Sequence, residues 1–576
     1  MPGSNKTPTL TRATPESPLH EPLRRGDSRV ALYLKEGMGV RFWLAVLLIF
    51  IGFYVRAHHV TALPPFNDEN HHIRRAEVAW SFSDPIVSFS LGKTLTYYWI
   101  GLFNPDRLDA IWMGRTVTGL FALLGLAGVY AIARRLFGGW AGVLALYLAV
   151  FTPYMVFFDR LAFSDPLASA LGILVIWMTL RMIKHPVEWE WGLLTGILIT
   201  LAVLAKLIAL PFTLVPLWAI AIQPLSPDPF PLTQGKGNQV PPLFTGEGFR
   251  VGVNLLIHQY KATLIACYGF FSVSMIPFFL WIVYREISGQ RISVVDPNLM
   301  NTASPLEQII NNLSFLWNTN WVLISPMLVI LGGIATVIAL YYEPRKILFL
   351  LGCAALPWSL TVISAGRIST RYLELGVLPI LIVIAGAMLI AVQQIYIRMG
   401  LLSERGYPKL SSLTVYCLLT LWLFIYAQPF ALSMWTDPRE LKLPERDYHE
   451  YFANFTAGYG LIPATNVMLT LPPSTTSGKI PVIGLVGSCH QIRLYLDEFG
   501  PVSLECPFFG WQGEFMEDVA QHVDQRLSEE SVLYLLVEPE LEFTDLSKLH
   551  VRHEVIGRFE RPFNGMTVEL WQVFPR

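Results

Sequence analysis

Charge is scarce in this chain. Asp, Glu, Lys and Arg make up only 15% of the 576 residues, against 53% hydrophobic residues and a mean hydropathy of +0.46. That is more apolar surface than a water-soluble core of this size would bury, so the expected solvent is a bilayer. No sign of charge dominates either: 42 Lys and Arg stand against 43 Asp and Glu, a net charge of −1. Without a basic surplus gathered in one place, nucleic acid is excluded as a partner class. Cysteine is rarer still. Of five, Cys267, Cys353 and Cys417 fall in apolar runs, and Cys489 and Cys506 lie in a polar C-terminal stretch. None has metal-ligand spacing, so no metal site is read here. Cys489 and Cys506 fit a disulfide or two free thiols equally well. The first forty residues contain no apolar core and are rich in Pro, Ser, Thr and Arg, which predicts a disordered cytoplasmic tail over 1–41 and not a signal peptide.

What the chain does have is long apolar runs. A helix needs roughly 20 apolar residues to cross the hydrocarbon core, and about eleven runs approach that length: 42–55, 108–132, 140–158, 167–182, 191–205, 207–222, 262–284, 321–342, 347–365, 375–397 and 413–432. The runs on either side of Lys206 are read as two. As one helix they would span about 48 Å at 1.5 Å per residue, against a core of about 30 Å. With eleven passes, Arg24, Arg25 and Arg29 share a side with Arg134, Arg135, Arg181, Arg345 and Arg398. The positive-inside rule makes that side cytoplasmic. The opposite face then receives the loop 57–107, the turn 159–165 and everything after 432. The chain divides into the tail 1–41, a membrane domain 42–434 and an external domain 435–576, in the plasma (inner) membrane. Strand-like runs at 532–537 and 567–573, with a polar helical run at 514–526, predict a small α/β fold for the last part. In the first loop Ile73, Ala76 and Ala79 recur at helical spacing opposite Arg74, Arg75 and Glu77, which predicts a helix on the membrane surface.

Most of the polar residues that invite chemistry lie on the predicted outer side. Asp68 and Glu69 follow the first span closely; Asp68 suits either a helix cap or a catalytic carboxylate at the membrane surface. Lys93 precedes Tyr97, Tyr98 and Trp99, a pattern that an interfacial aromatic belt with a snorkelling Lys also explains. Asp165 before Pro166 is a good N-cap whatever else it does. Asp159 and Arg160 have no such local role. Lys206 at mid-helix would cost about 2.5–3.5 kcal/mol on insertion scales, so it is expected at a turn or facing a polar cavity. Arg371 and Tyr372 come just before the tenth run.

Taken in order, Lys93, Tyr97-Tyr98-Trp99, Arg115, Ala133-Arg134-Arg135-Leu136-Phe137-Gly138 and Arg160…Ser164-Asp165-Pro166 resemble the bacterial protein-mannosyltransferase-like and aminoarabinose-transferase-like enzymes, which are C-type membrane glycosyltransferases. The tetrad Asp68-Glu69-Asn70-His71 is similar to the acidic pair of the protein O-mannosyltransferases, and Arg371-Tyr372 with Pro379 is similar to the start of a late helix in the same group. The resemblance covers residues 42–223 well and the later spans loosely. It implies a GT-C-like all-α polytopic domain, and a site at the membrane–exterior boundary. The donor would be a polyprenyl-phosphate sugar and the acceptor a protein, lipid or glycan, with no cofactor read beyond that donor. It also implies Asp68 as general base, with Glu69 and Asp165 as further catalytic carboxylates. On the same resemblance Lys93 is the candidate for binding the carrier phosphate, with His71, Arg160, Lys206 and Arg371 as further candidates, and Tyr97, Tyr98 and Tyr372 are expected to contact substrate. The absence of a Gly-rich phosphate loop fits a lipid-linked donor. A transporter or flippase, a glycan ligase or polymerase, and an inert subunit remain the alternatives. The first places its ionisable residues near the bilayer midplane, and here they gather in loops.

Overall fold

Apolar run length decides the first three quarters of the molecule. The computed structural model describes residues 39–82, 92–104, 109–222, 246–288, 305–366, 368–401, 408–497, 500–507, 516–541 and 545–575; the tail predicted over 1–41 lies almost wholly outside them. The main helices there are α1 (Val40–Ala57), α2 (Asn67–Trp80), α3 (Thr94–Gly101), α4 (Ala110–Phe137), α5 (Gly139–Phe151), α6 (Asp165–Lys184), α7 (Trp189–Ala205), α8 (Gly246–Ile287), α9 (Pro305–Leu323), α10 (Pro326–Tyr342), α11 (Pro344–Ser364), α12 (Glu374–Arg398) and α13 (Pro408–Trp422), with shorter helical segments between and beyond them. Seven described helical segments are long and apolar enough to cross a membrane, and α9 with α10 makes an eighth if the bent pair is one span. The chain is thus a multi-pass membrane protein. All eleven apolar runs fall on helical segments, but α5, α7 and residues 207–221 are shorter apolar helices.

Two breaks shape the bundle. Lys206 stands in extended conformation between α7 and a 3-10 segment, Leu207–Leu214, as the cost of a mid-helix lysine requires. The run 321–342, expected as a single span, is instead broken, with α9 and α10 meeting at 110°. Pro326 cannot continue a helix from the preceding turn. Ser325, at φ 101°, caps the new helix by accepting from the Leu328 N–H.

Helix contact in a bilayer depends on close approach. Gly192 and Gly196, one turn apart on α7, supply it: a Cβ on them would lie 2.0 Å from the Thr263 carbonyl oxygen and 2.3 Å from that of Cys267 on α8.

The C-terminal part holds a five-stranded mixed sheet. Its strands are β1 (Ile480–Leu485), β2 (Val502–Glu505), β3 (Leu533–Val537), β4 (Val551–Glu560) and β5 (Thr567–Pro575), in the order β2-β1-β3-β5-β4. β1 pairs in parallel with β2 and β3, and β5 runs antiparallel to β3 and β4. The period of two sorts β3 between two cores. Leu533, Leu535 and Val537 pack with Val519 and Val523 of α14 (Met516–Glu529), while Tyr534 and Leu536 pack with Leu461, Ala464 and Met468. A disulfide joins Cys489 and Cys506 beside this sheet. The sheet region is tied to the membrane region by backbone. Phe66 and Ala457 form an antiparallel bridge, and the Asn67 N–H donates to the Thr456 carbonyl at 3.0 Å.

Candidate active site

The start of α2 is fixed by one buried ion pair. Glu69 and Arg115 have side chains with no exposed surface and meet at 2.7 Å. Glu69 Oε1 accepts from Arg115 Nε and the Ala162 N–H, both at 2.8 Å. Its Oε2 accepts from Arg115 Nη2 and, at 2.8 Å, from the Phe66 N–H. Arg115 spends its remaining donors on the carbonyls of Val60, Leu63 and Pro64. The Glu69 carboxylate is therefore filled, and it is Glu69 that reaches back to the residue preceding the helix. The capping role considered for Asp68 belongs to Glu69, because Asp68 already lies inside α2.

That leaves the Asp68 carboxylate to point elsewhere. Its Oδ2 lies 2.7 Å from Arg371 Nη2, with the Asp68 side chain 29% exposed. Arg371 occupies a 3-10 turn, Thr370–Leu373, ahead of α12. Its guanidinium sits 4.9 Å from the Phe163 ring centroid and 5.4 Å from that of Phe66. Its Nε and Nη1 are buried with no hydrogen-bond partner among the described residues.

Two lysines complete the group. Gly92, at φ 62°, turns the chain into α3, and Lys93 follows with Nζ 2.9 Å from His72 Nε2. His72 Nδ1 is 2.7 Å from the Ala162 carbonyl. A carbonyl only accepts, so the proton is on Nδ1 and Nε2 accepts from Lys93. Lys206 Nζ lies 2.5 Å from Asp165 Oδ1 and 4.3 Å from the Tyr372 ring centroid. Asp165 is the first residue of α6 and makes no cap bond, Ser164 standing at the N-cap position. Its expected cap role gives way to the lysine.

These groups act on one another. Burial pushes the Lys93 ammonium down to about 8, aided by Lys206 and Arg371 and opposed by Asp68 and Asp165. Burial works against ionisation of Asp68, yet Arg371, Lys93, His72 and His71 together hold its carboxyl well below the usual carboxylate range. Burial pushes His72 well down as well. The cluster sets three cations, Lys93, Lys206 and Arg371, against two carboxylates, Asp68 and Asp165.

Not every nominated residue joins it. Arg160 turns away, donating to the carbonyls of Val55, His58 and His59. Its neighbour Asp159 pairs with buried Arg56 at 2.7 Å. The Tyr97 hydroxyl lies 3.5 Å from Arg75 Nη1, and the Tyr98 carbonyl accepts from Trp80 Nε1. His71 faces Arg74 and Arg75, while the adjacent His72, not singled out from the sequence, makes the contact with Lys93. Phe163 and Phe66, which wall Arg371, carried no sequence signal. Among the described residues no three His, Cys, Asp or Glu side chains converge as a metal would need.

Residues 95–227 match the family model described as dolichyl-phosphate-mannose-protein mannosyltransferase. The match takes in Tyr97, Arg115, Arg160, Asp165 and Lys206, but lies between Lys93 and Arg371. No curated protein matches the chain by sequence. Among solved structures, ArnT from Cupriavidus metallidurans bound to undecaprenyl phosphate is 15% identical, covering 93% of this chain and 98% of its own, with a TM-score of 0.49. The oligosaccharyltransferase AglB from Archaeoglobus fulgidus, in complex with an inhibitory peptide and a dolichol-phosphate, is 12% identical, covering 92% and 74%, with a TM-score of 0.48. Over residues 95–227, then, the chain is similar to the dolichyl-phosphate-mannose-protein mannosyltransferases.

Proposed function

We propose that this protein transfers a sugar from a polyprenyl-phosphate carrier to an acceptor hydroxyl, at the face of the bundle that bears the sheet, with Asp68 as general base. The observation that carries the reading is the cluster of Lys93, Lys206 and Arg371 with Asp68 and Asp165, in which Asp68 is part-exposed and Arg371 Nε and Nη1 are buried without hydrogen-bond partners among the described residues. A buried donor left unpaired costs about 1–3 kcal/mol, and a phosphate oxygen at Arg371 removes that cost. The family match over 95–227 supports a lipid-phosphate sugar as donor.

In the reaction the acceptor oxygen attacks the anomeric carbon while the bond to the carrier phosphate breaks. The phosphate oxygen leaves with the bonding pair and the acceptor proton passes to Asp68. One displacement through an oxocarbenium-like transition state inverts the anomeric centre. Lys93 and Arg371 meet the charge that develops on the phosphate; Lys206, oriented by Asp165, holds the third position. Arg371 also makes resting Asp68 a weak base. A bound phosphate shares Arg371 and adds negative charge nearby, both of which raise the proton affinity of Asp68. The base is then strong only when donor is seated.

We read residues 42–434 as the catalytic membrane domain and 435–576 as an external module of a plasma-membrane enzyme, because a disulfide such as Cys489–Cys506 persists on the oxidising side. The test of the donor is direct. Protein in nanodiscs should bind undecaprenyl phosphate, and Lys93→Ala and Arg371→Ala should each weaken it by about tenfold or more, the loss of a charged hydrogen bond. Wild-type binding by both variants would overturn the reading.

A further inference from the structure

The outward face of α2 is basic. His71, Arg74 and Arg75 lie three and four residues apart on one side of the helix, as Ile73, Ala76 and Ala79 turn into the core. Against that side packs the short turn Cys489–Ile492 and the residues after it, from the C-terminal region. Arg74 Nη1 donates to His490 Nδ1 at 2.7 Å, and Leu494 packs on the cluster formed by Ile73, Ala76 and Tyr97. Arg493 completes the group. Three guanidinium groups and two imidazoles, drawn from two distant parts of the chain, therefore gather where the turn meets α2. Arg74 feels Arg493, His490 feels Arg74, Arg493 and His71, and His71 feels Arg75 and Lys93.

Among the described residues the direct hydrogen-bond partners of these arginines are neutral: an imidazole for Arg74, the Tyr97 hydroxyl for Arg75 and the Leu504 carbonyl for Arg493. Two acids among the described residues act on the cluster. Glu77 acts on Arg74, and Asp68, which acts on His71, is already engaged by Arg371. All five basic side chains keep some exposure, so the cluster is open to solvent. Like charges gathered on one part of the surface raise a positive potential that favours an anion. The disulfide Cys489–Cys506 begins the turn that carries His490 and Arg493, so that side of the cluster is braced in advance. The cluster also adjoins the reacting groups, because His71 feels both Lys93 and Asp68.

We propose that His71, Arg74, Arg75, His490 and Arg493 form a second anion subsite, separate from the donor's, that holds a phosphate group of the acceptor. The word acceptor rests on the glycosyl-transfer reading above; the anion binding does not. Held there, a phosphate-bearing acceptor presents a neighbouring hydroxyl to Asp68, and the two phosphates of the reaction are kept apart by Lys93 and His72.

The full chain in neutral detergent is titrated with three probes: glycerol phosphate, phosphatidylglycerol and undecaprenyl phosphate. Wild type is expected to bind glycerol phosphate, phosphatidylglycerol or both. Binding of the soluble probe alone assigns the subsite to a water-soluble acceptor, and binding of phosphatidylglycerol assigns it to a lipid headgroup. The double variant Arg74→Gln/Arg493→Gln should bind that probe at least about tenfold more weakly, since hydrogen bonds to charged groups are lost. It should keep undecaprenyl phosphate unchanged and melt at the wild-type temperature. Arg74→Lys/Arg493→Lys should retain most of the affinity. Failure of wild type to bind either phosphate probe overturns the proposal, as does wild-type affinity in the Gln variant. A parallel loss of undecaprenyl phosphate by a normally melting Gln variant also overturns it, by merging the basic cluster with the donor site. If instead Lys93→Ala and Arg371→Ala keep undecaprenyl phosphate while the Gln variant loses the other probe, the donor reading fails and the subsite stands.

Discussion

Asp68 Oδ2 and Arg371 Nη2 are 2.7 Å apart, an ion pair that joins the helix after the first span to the turn leading into α12. A carboxylate so held is positioned and also restrained. It carries its charge at any ordinary pH, and it gains basicity when a second anion draws on the same guanidinium.

Asp68→Asn should therefore separate binding from chemistry. Asn keeps the size and the helix position, so the protein should fold and undecaprenyl phosphate should bind at least as well, Arg371 having lost its anionic partner. Turnover should fall by about 10²–10⁴, the usual contribution of a general base. Single-turnover transfer with equilibrium binding alongside decides it; near-normal transfer would remove Asp68 from the mechanism.

Lys93 gives the proposed donor site a pH limit. Its ammonium is pushed down to about 8 by burial, so it is charged below that value and neutral above. Carrier-phosphate affinity should be high below about pH 8 and decline as the pH rises through it, with a bound phosphate moving the decline upward. Lys93→Arg, which stays charged, should hold its affinity to about pH 9. Equal declines in both proteins would assign the limb to another group.

Glu69→Gln should act on the fold. It leaves Arg115 buried without its counter-charge, and breaking a buried pair from one side costs about 3–5 kcal/mol. Thermal unfolding in detergent should show a large fall, and Glu69→Gln/Arg115→Met should recover part of it. A Glu69→Gln protein that melts normally but does not turn over would return Glu69 to the chemistry.

Orientation is open to a labelling test. In intact cells expressing a Cys417→Ser background, a membrane-impermeant thiol reagent should modify Cys489 and Cys506 only after a reductant opens their disulfide. Modification that needs permeabilised cells, with both thiols reactive in lysate, would reverse the assignment.

The sequence made the regular elements legible where one physical rule dominates. Run length marked the helices, the cost of a buried lysine marked the break at Lys206, and a short strand-like apolar run marked β3. It was less informative where the answer depends on rotation about a helix or on a distant partner. Successive helical residues diverge by about 100°. Asp68 and Glu69 look like a pair in the sequence, yet one meets Arg371 and the other Arg115. The same rotation sends His72 to Lys93 and His71 to the arginines beside it. Arg160 looked available because the three carbonyls that take its Nη1 and Nη2 donors lie about a hundred residues away. The bend before α10 was hidden by even hydropathy across 321–342, although Ser325-Pro326 carried the signal.

The bridge between Phe66 and Ala457, with the Asn67 N–H on the Thr456 carbonyl, sets an order of manufacture. The segment that begins α2 is among the first to leave the ribosome, but the strand it leans on is made almost four hundred residues later. Until then the residue next to Asp68 has no backbone anchor, and Arg371 and the braced turn at Cys489 also arrive late. A chain stopped short of residue 457 therefore lacks the backbone bridge that seats Asn67 beside the proposed base, however many of its early helices are already in place.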